Sequence, residues 1–98
     1  MRESELERKL TVGIKNLGGI AYKFTSPGNA GVPDRLVVLP NGKTIFVEMK
    51  AEKGELSSIQ KVQIKRLLDR GQEVFVIKGE KELQGFLSCM FKRLKKRK

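Results

Sequence analysis

The sequence predicts one α/β domain: a four-stranded mixed sheet flanked by helices, in the order α-β-β-β-α-β-α. Three observations lead there. Apolar residues recur at helical spacing in segments that end at glycines. Four short apolar runs lie between them and suit strands covered on both faces. The 98 residues are 39% hydrophobic, enough for one packed core.

The first helix is expected from about Glu3 to Leu17. Leu6, Leu10, Ile14 and Leu17 form its apolar stripe, and Gly18-Gly19 stops it. Ile20–Thr25 reads as a strand, and Ser26–Val32, with Pro27, Gly28 and Gly31, as a loop. Asp34–Leu39 and Lys43–Lys50 read as two strands around Pro40-Asn41-Gly42. Ala51–Leu56 is a polar loop. A second helix follows Ser57 and runs to about Arg70, where Gly71 ends it. Glu73–Ile77 is the fourth strand, and Lys81 to about Leu94 the third helix. The first three strands can form an antiparallel meander. The second helix then crosses over to a fourth strand parallel to the third.

Composition narrows the chemistry. Cys89 is the only cysteine and there is no histidine. Disulfides within the chain, cysteine-rich zinc sites, Ser-His triads and histidine bases are excluded. An enzyme here must work with carboxylates, lysines and a hard metal. No apolar run is long enough to span a bilayer, and the charged N-terminal stretch lacks a signal-peptide core. The expected location is cytoplasmic, a bacterial host's cytoplasm if the source is viral. Net charge is +10, which points to a polyanion, nucleic acid before membrane. Residues 1–91 read as the domain and 92–98 as a basic tail, with six basic residues of seven. Such a tail adds salt-sensitive DNA affinity without sequence specificity.

Three ionisable side chains interrupt the central hairpin: Asp34 after Pro33, then Glu48 and Lys50. Charges inside apolar strands are costly unless paired or bound to metal. Turn chemistry decides whether they meet. A two-residue Asn41-Gly42 turn would set Asp34 opposite Met49. A three-residue Pro40-Asn41-Gly42 loop pairs Leu39 with Lys43 and sets Asp34 opposite Glu48. Proline suits the first turn position and Gly42 the left-handed one, so the second register is expected. Opposed side chains have Cβ atoms about 4.5–5.5 Å apart, and Lys50 shares the face of Glu48. Oxygen donors without histidine or thiolate suit Mg²⁺ or Mn²⁺. Such an ion activates water and offsets charge developing on a phosphate.

The surrounding residues carry two readings each. Glu7 lies on the first helix beside the apolar stripe, where it can reach the site, and Glu3 is its rival. The alternative is dipole stabilisation at the helix N-terminus, which Glu3 and Glu5 satisfy without function. Ser57 and Gln60 match a capping box, and Gln60 can face the site as well. Lys61, Lys65 and Arg66 read as solvated or DNA-facing. Gly28, Asn29 and Gly31 lack the Gly-Lys-Ser/Thr ending of a phosphate loop. Phe24, Phe75, Phe86 and Phe91 fit core positions better than a base-stacking platform.

These residues resemble the PD-(D/E)xK nuclease superfamily. Gly18-Gly19, Lys23–Gly28, Gly31–Arg35, Phe46–Lys50 and Leu56-Ser57-x-x-Gln60 together resemble its VRR-NUC (virus-type replication-repair nuclease) domain. The likeness runs from about Glu3 to about Leu87, and Met49 replaces the usual Leu or Val of the ExK motif. It implies a PD-(D/E)xK core and a metal-dependent DNA endonuclease. Asp34, Glu48 and the Met49 carbonyl would bind Mg²⁺ or Mn²⁺, Lys50 would serve the attacking water, and Glu7 and Gln60 would complete the site. Small standalone members resemble homodimeric resolvases of four-way (Holliday) junction DNA, and the domain also occurs in a DNA repair enzyme. The contrasting expectation is a noncatalytic basic nucleic-acid-binding module, which explains the charge but not the carboxylates.

Overall fold

The computed structural model describes residues 1–96. The elements are α1 (Glu3–Asn16), β1 (Ile20–Lys23), β2 (Arg35–Val38), β3 (Thr44–Lys50), α2 (Ser58–Asp69), β4 (Val74–Lys78) and α3 (Gly79–Lys95). They form one sheet in the order β1-β2-β3-β4. The first two pairings are antiparallel and β3 pairs parallel with β4. The meander and the crossover unit are therefore both present.

The core lies on one face of the sheet. Leu6, Leu10 and Ile14 form a fully buried stripe on α1, four residues apart, as a helix packed along one side requires. Leu83, Phe86 and Met90 form a second buried stripe on α3, at spacings of three and four. Between them and the sheet lie Ala21, Val37, Leu39, Ile45, Val47, Met49 and Ile77. Phe75 packs against this cluster and meets Phe86 edge to face, with centroids 4.9 Å apart.

The opposite face carries α2, which buries no residue fully, and the loop between β1 and β2. Leu36, Phe46, Val74 and Val76 are half-buried there. Towards the free edge Ile20 and Tyr22 are exposed, Tyr22 by 57%. Two of the expected core aromatics are not core. Phe24 is half-buried on the α2 face, and Phe91 is 50% exposed with Lys95 over its ring. The helical pattern of α3 admits Phe91 only on its outer side, because Phe86 and Met90 already occupy the inner one.

α3 begins at Gly79, two residues before the expected start, and continues into the basic stretch, so that Lys92–Lys95 are helical. Arg93 donates two hydrogen bonds to Glu73, at 2.9 and 2.7 Å, which tie the helix end to the start of β4. Arg97 and Lys98, the end of the expected tail, lie outside the described residues.

The loop between β1 and β2 is held against α2 at Gly31. Its φ is +89°, and an added Cβ would lie 2.9 Å from the Ile59 backbone. Gly28 also has a positive φ, +81°, but nothing within 4 Å. Left-handed backbone costs a non-glycine residue about 1–2 kcal/mol. Gly31→Ala adds a backbone clash to that cost. Thermal melts should show it lowering Tm by about 5 °C or more beyond the loss caused by Gly28→Ala. Equal losses would show that the close approach of this loop to α2 is not tight.

Candidate active site

The β2–β3 hairpin has the register that the three-residue loop requires. The Leu39 N–H donates to the Lys43 carbonyl at 2.8 Å, and the Gly42 N–H to the Leu39 carbonyl at 3.0 Å. Gly42 has φ +90°. Arg35 pairs with Val47 and Leu36 with Phe46. One residue further along the same ladder, Asp34 faces Glu48. Val47 and Met49 point into the core, so Glu48 between them points to the α2 face.

The two carboxyls sit where strand, helix and loop converge. Pro33 is fully buried ahead of Asp34. Asp34 Oδ1 accepts the Met49 N–H at 3.2 Å, which fixes the Asp34 side chain across the hairpin. Glu48 is 4% exposed and is the one charged residue in the buried set. Its Oε2 accepts from Gln60 Nε2 at 3.1 Å, and Lys50 Nζ lies 3.9 Å from the same oxygen. Gln60 both caps α2 and faces Glu48. Its backbone N–H donates to Ser57 Oγ at 3.2 Å, and its own Oε1 accepts the Ser57 N–H at 2.9 Å. The capping box thereby turns the amide nitrogen towards Glu48.

Burial pushes both carboxyls up, Asp34 to about 6 and Glu48 to about 7. For Asp34 the Met49 N–H opposes the rise, and the charges of Glu7 and Glu3 add to it. For Glu48 the Asp34 charge adds to the rise and Lys50 opposes it. Two facing carboxyls whose pKa values burial raises, in a chain of net charge +10, form a local site for a proton or a cation.

The acids of α1 split between two positions. Glu7 Oε1 accepts from Arg35 Nη2 at 2.8 Å, while its charge still reaches Asp34. Glu3 is exposed, and its charge reaches both Asp34 and Glu48. Arg35, which the motif spacing does not single out, is the partner of Glu7. Strand alternation puts it on the face of Val37 and Leu39, where a cation needs an acidic partner. Its Nε is the one buried side-chain nitrogen or oxygen among the described residues without a hydrogen-bond partner.

The donor set fits a hard divalent ion. Among the described residues no three Asp, Glu, Cys or His side chains converge into a closed cage. The facing Asp34 and Glu48 instead offer two carboxylates. Mg²⁺ is commonly held this way, through one or two carboxylates, its remaining positions taken by water and substrate phosphate.

Comparison with known proteins agrees with this arrangement of strands. The family model described as the VRR-NUC domain matches residues 19–81. A nuclease-named protein, p44, of Acyrthosiphon pisum secondary endosymbiont phage 1 is 48% identical over 80 residues, which cover 82% of this chain and 86% of that protein. A solved structure described as a VRR-NUC domain superposes with a TM-score of 0.83 at 31% identity, covering 88% of this chain and 94% of that one. The chain belongs to the VRR-NUC domain family.

Proposed function

We propose that this nuclease hydrolyses DNA phosphodiester bonds with Mg²⁺ or Mn²⁺, as a homodimer that acts on branched DNA such as four-way junctions. One observation carries the reading. Two carboxyls of raised pKa face each other across a hairpin, with a lysine beside them, in a chain whose charge otherwise suits DNA.

On this reading Asp34, Glu48 and the Met49 carbonyl hold the ion. When bound, the ion supplies Lewis-acid stabilisation of charge on the phosphate and lowers the pKa of the attacking water. Water adds to phosphorus, and the bond from phosphorus to the departing sugar oxygen breaks. A phosphate monoester and a hydroxyl result. Lys50, beside Glu48, orients the water and offsets the negative charge on the phosphate. Gln60 holds Glu48 in place, and Glu7 completes the site from α1. Basic residues of α2 and of the C-terminal stretch bind the DNA backbone, which positions the substrate without reading its sequence. The dimer is supported by the exposed apolar edge at Ile20 and Tyr22. Two identical sites also suit a substrate in which two strands must be cut.

Cleavage of linear and four-way-junction DNA with Mg²⁺, Mn²⁺ or EDTA tests the chemistry. Wild type should cut only with metal. Asp34→Asn, Glu48→Gln and Lys50→Met should each lower kcat by about 100-fold or more. Glu7→Gln should cost more activity than Glu3→Gln, and the reverse order would give the α1 position to Glu3. Full activity in the first three variants would remove the site, and metal-independent or absent cleavage would remove the enzyme reading.

The raised carboxyls also set a pH dependence. The folded protein keeps protons on Asp34 and Glu48 that the unfolded chain releases near 3.8 and 4.5. Their stabilising contribution is complete below those values and is lost as pH rises through about 6 and 7. A divalent ion replaces the protons, so Mg²⁺ should raise Tm more at about pH 8 than at about pH 5. An equal increase at both pH values, or the same increase in Asp34→Asn/Glu48→Gln, would contradict ion binding at this pair. Light scattering should give twice the 11.1 kDa chain mass, and a mass of one chain at every concentration would remove the dimer.

A further inference from the structure

A groove opens beside the carboxyl pair, between α2 and the loop from β1 to β2, with a volume of about 270 Å³. Phe24 and Phe46 line it from the sheet, Asn29 from the loop, and Gln63, Arg66 and Arg70 from α2. The two rings meet edge to face, with centroids 5.7 Å apart. Both are half-buried and neither belongs to the core cluster.

Its position is tied to the site. The Phe24 N–H donates to the Asp34 carbonyl at 2.8 Å, so Phe24 is the cross-strand neighbour of Asp34. Phe46 precedes Glu48 by two residues and shares its face. One aromatic ring therefore flanks each carboxyl. Gln63 Nε2 holds the Ala30 carbonyl at 3.1 Å and fixes the loop wall. Arg66 makes no salt bridge among the described residues.

We propose that this groove receives the unstacked base of a nucleotide adjoining the scissile phosphate, so that cleavage favours DNA with an unpaired or easily opened base there. The proposal rests on the nuclease reading. Aromatic side chains accept any base by stacking, which suits a site without sequence preference. The volume fits one base. Asn29 and Gln63 can meet base edges, and Arg66 and Arg70 place cations where the flanking phosphates run. Unstacking is least costly where pairing is already broken, as at a branch point or gap. The cationic rim also argues against a second copy of this chain as the occupant, because the two rims would repel.

Binding in EDTA tests the groove apart from cleavage. Full-length protein is titrated with gapped DNA and with fully paired duplex, each carrying 5-iodouracil near the gap position for photocrosslinking and mass spectrometry. The gapped DNA should crosslink to peptides containing Phe24 or Phe46. Phe46→Leu and Phe24→Leu should each weaken gapped-DNA binding about fivefold or more while changing duplex binding less than twofold. Phe46→Tyr should retain the preference. If one leucine variant fails to fold, the other variant and the wild-type crosslink still decide. Crosslinks confined to other surfaces, or equal weakening for both DNAs, would overturn the proposal. So would a leucine variant that changes the mass of the assembly in place of the DNA preference. Crosslinking in the groove by a protein that cuts no DNA with any metal would uphold the groove and remove the nuclease chemistry. Cleavage without groove crosslinks would remove the groove alone.

Discussion

Everything at the candidate site depends on the register of one hairpin. Strand side chains alternate faces, so a shift of one residue between β2 and β3 would move Glu48 away from Asp34. The loop Pro40-Asn41-Gly42 prevents that shift. It closes on Leu39 and Lys43 and uses the left-handed φ of Gly42. The core enforces the same choice from the other face. Ile45, Val47 and Met49 are all fully buried, and a slip would set them against different neighbours or expose them. Turn chemistry and core packing thus agree on one register, and that register brings the two carboxyls together.

The one-sided core explains how such a site is tolerated. α1 and α3 bury their apolar stripes on the same face of the sheet, where the buried hydrophobic cluster lies. The other face carries a single helix with no fully buried residue, so it can hold Asp34, Glu48 and Lys50 beside half-buried aromatics. Burial still raises the pKa of both carboxyls, the Asp34 charge adds to the rise at Glu48, and Lys50 only partly offsets it there. Gln60 links the two demands. One end of its amide completes the capping box that starts α2, and the other donates to Glu48. The start of α2 and the placement of the carboxylate are therefore one constraint.

How much was legible in the sequence follows from the physics of each element. The sheet order and the hairpin register were readable because turn geometry is local and strand alternation has a period of two. Gln60 was readable because the capping box places its backbone. The α1 acids were not separable by spacing. Glu3 and Glu7 are one helical turn apart, and which one reaches the pair depends on how α1 sits on the sheet. The partner that divides them, Arg35, adjoins the motif and is visible only once it is assigned to the core face. Phe24 and Phe91 were misread because an aromatic in an apolar run looks the same whether its face is covered or open. Here α2 leaves part of the sheet uncovered, and α3 turns Phe91 outward.

Asp34 and Glu48 together are proposed to hold a divalent ion. Electron paramagnetic resonance of Mn²⁺ reads this most directly, because free ion and bound ion give different signals. Wild-type protein, without DNA at about pH 8, should remove the free-ion signal, and Asp34→Asn and Glu48→Gln should each restore it while the chain remains folded. Equal Mn²⁺ binding by wild type and both variants would contradict ion binding by the pair.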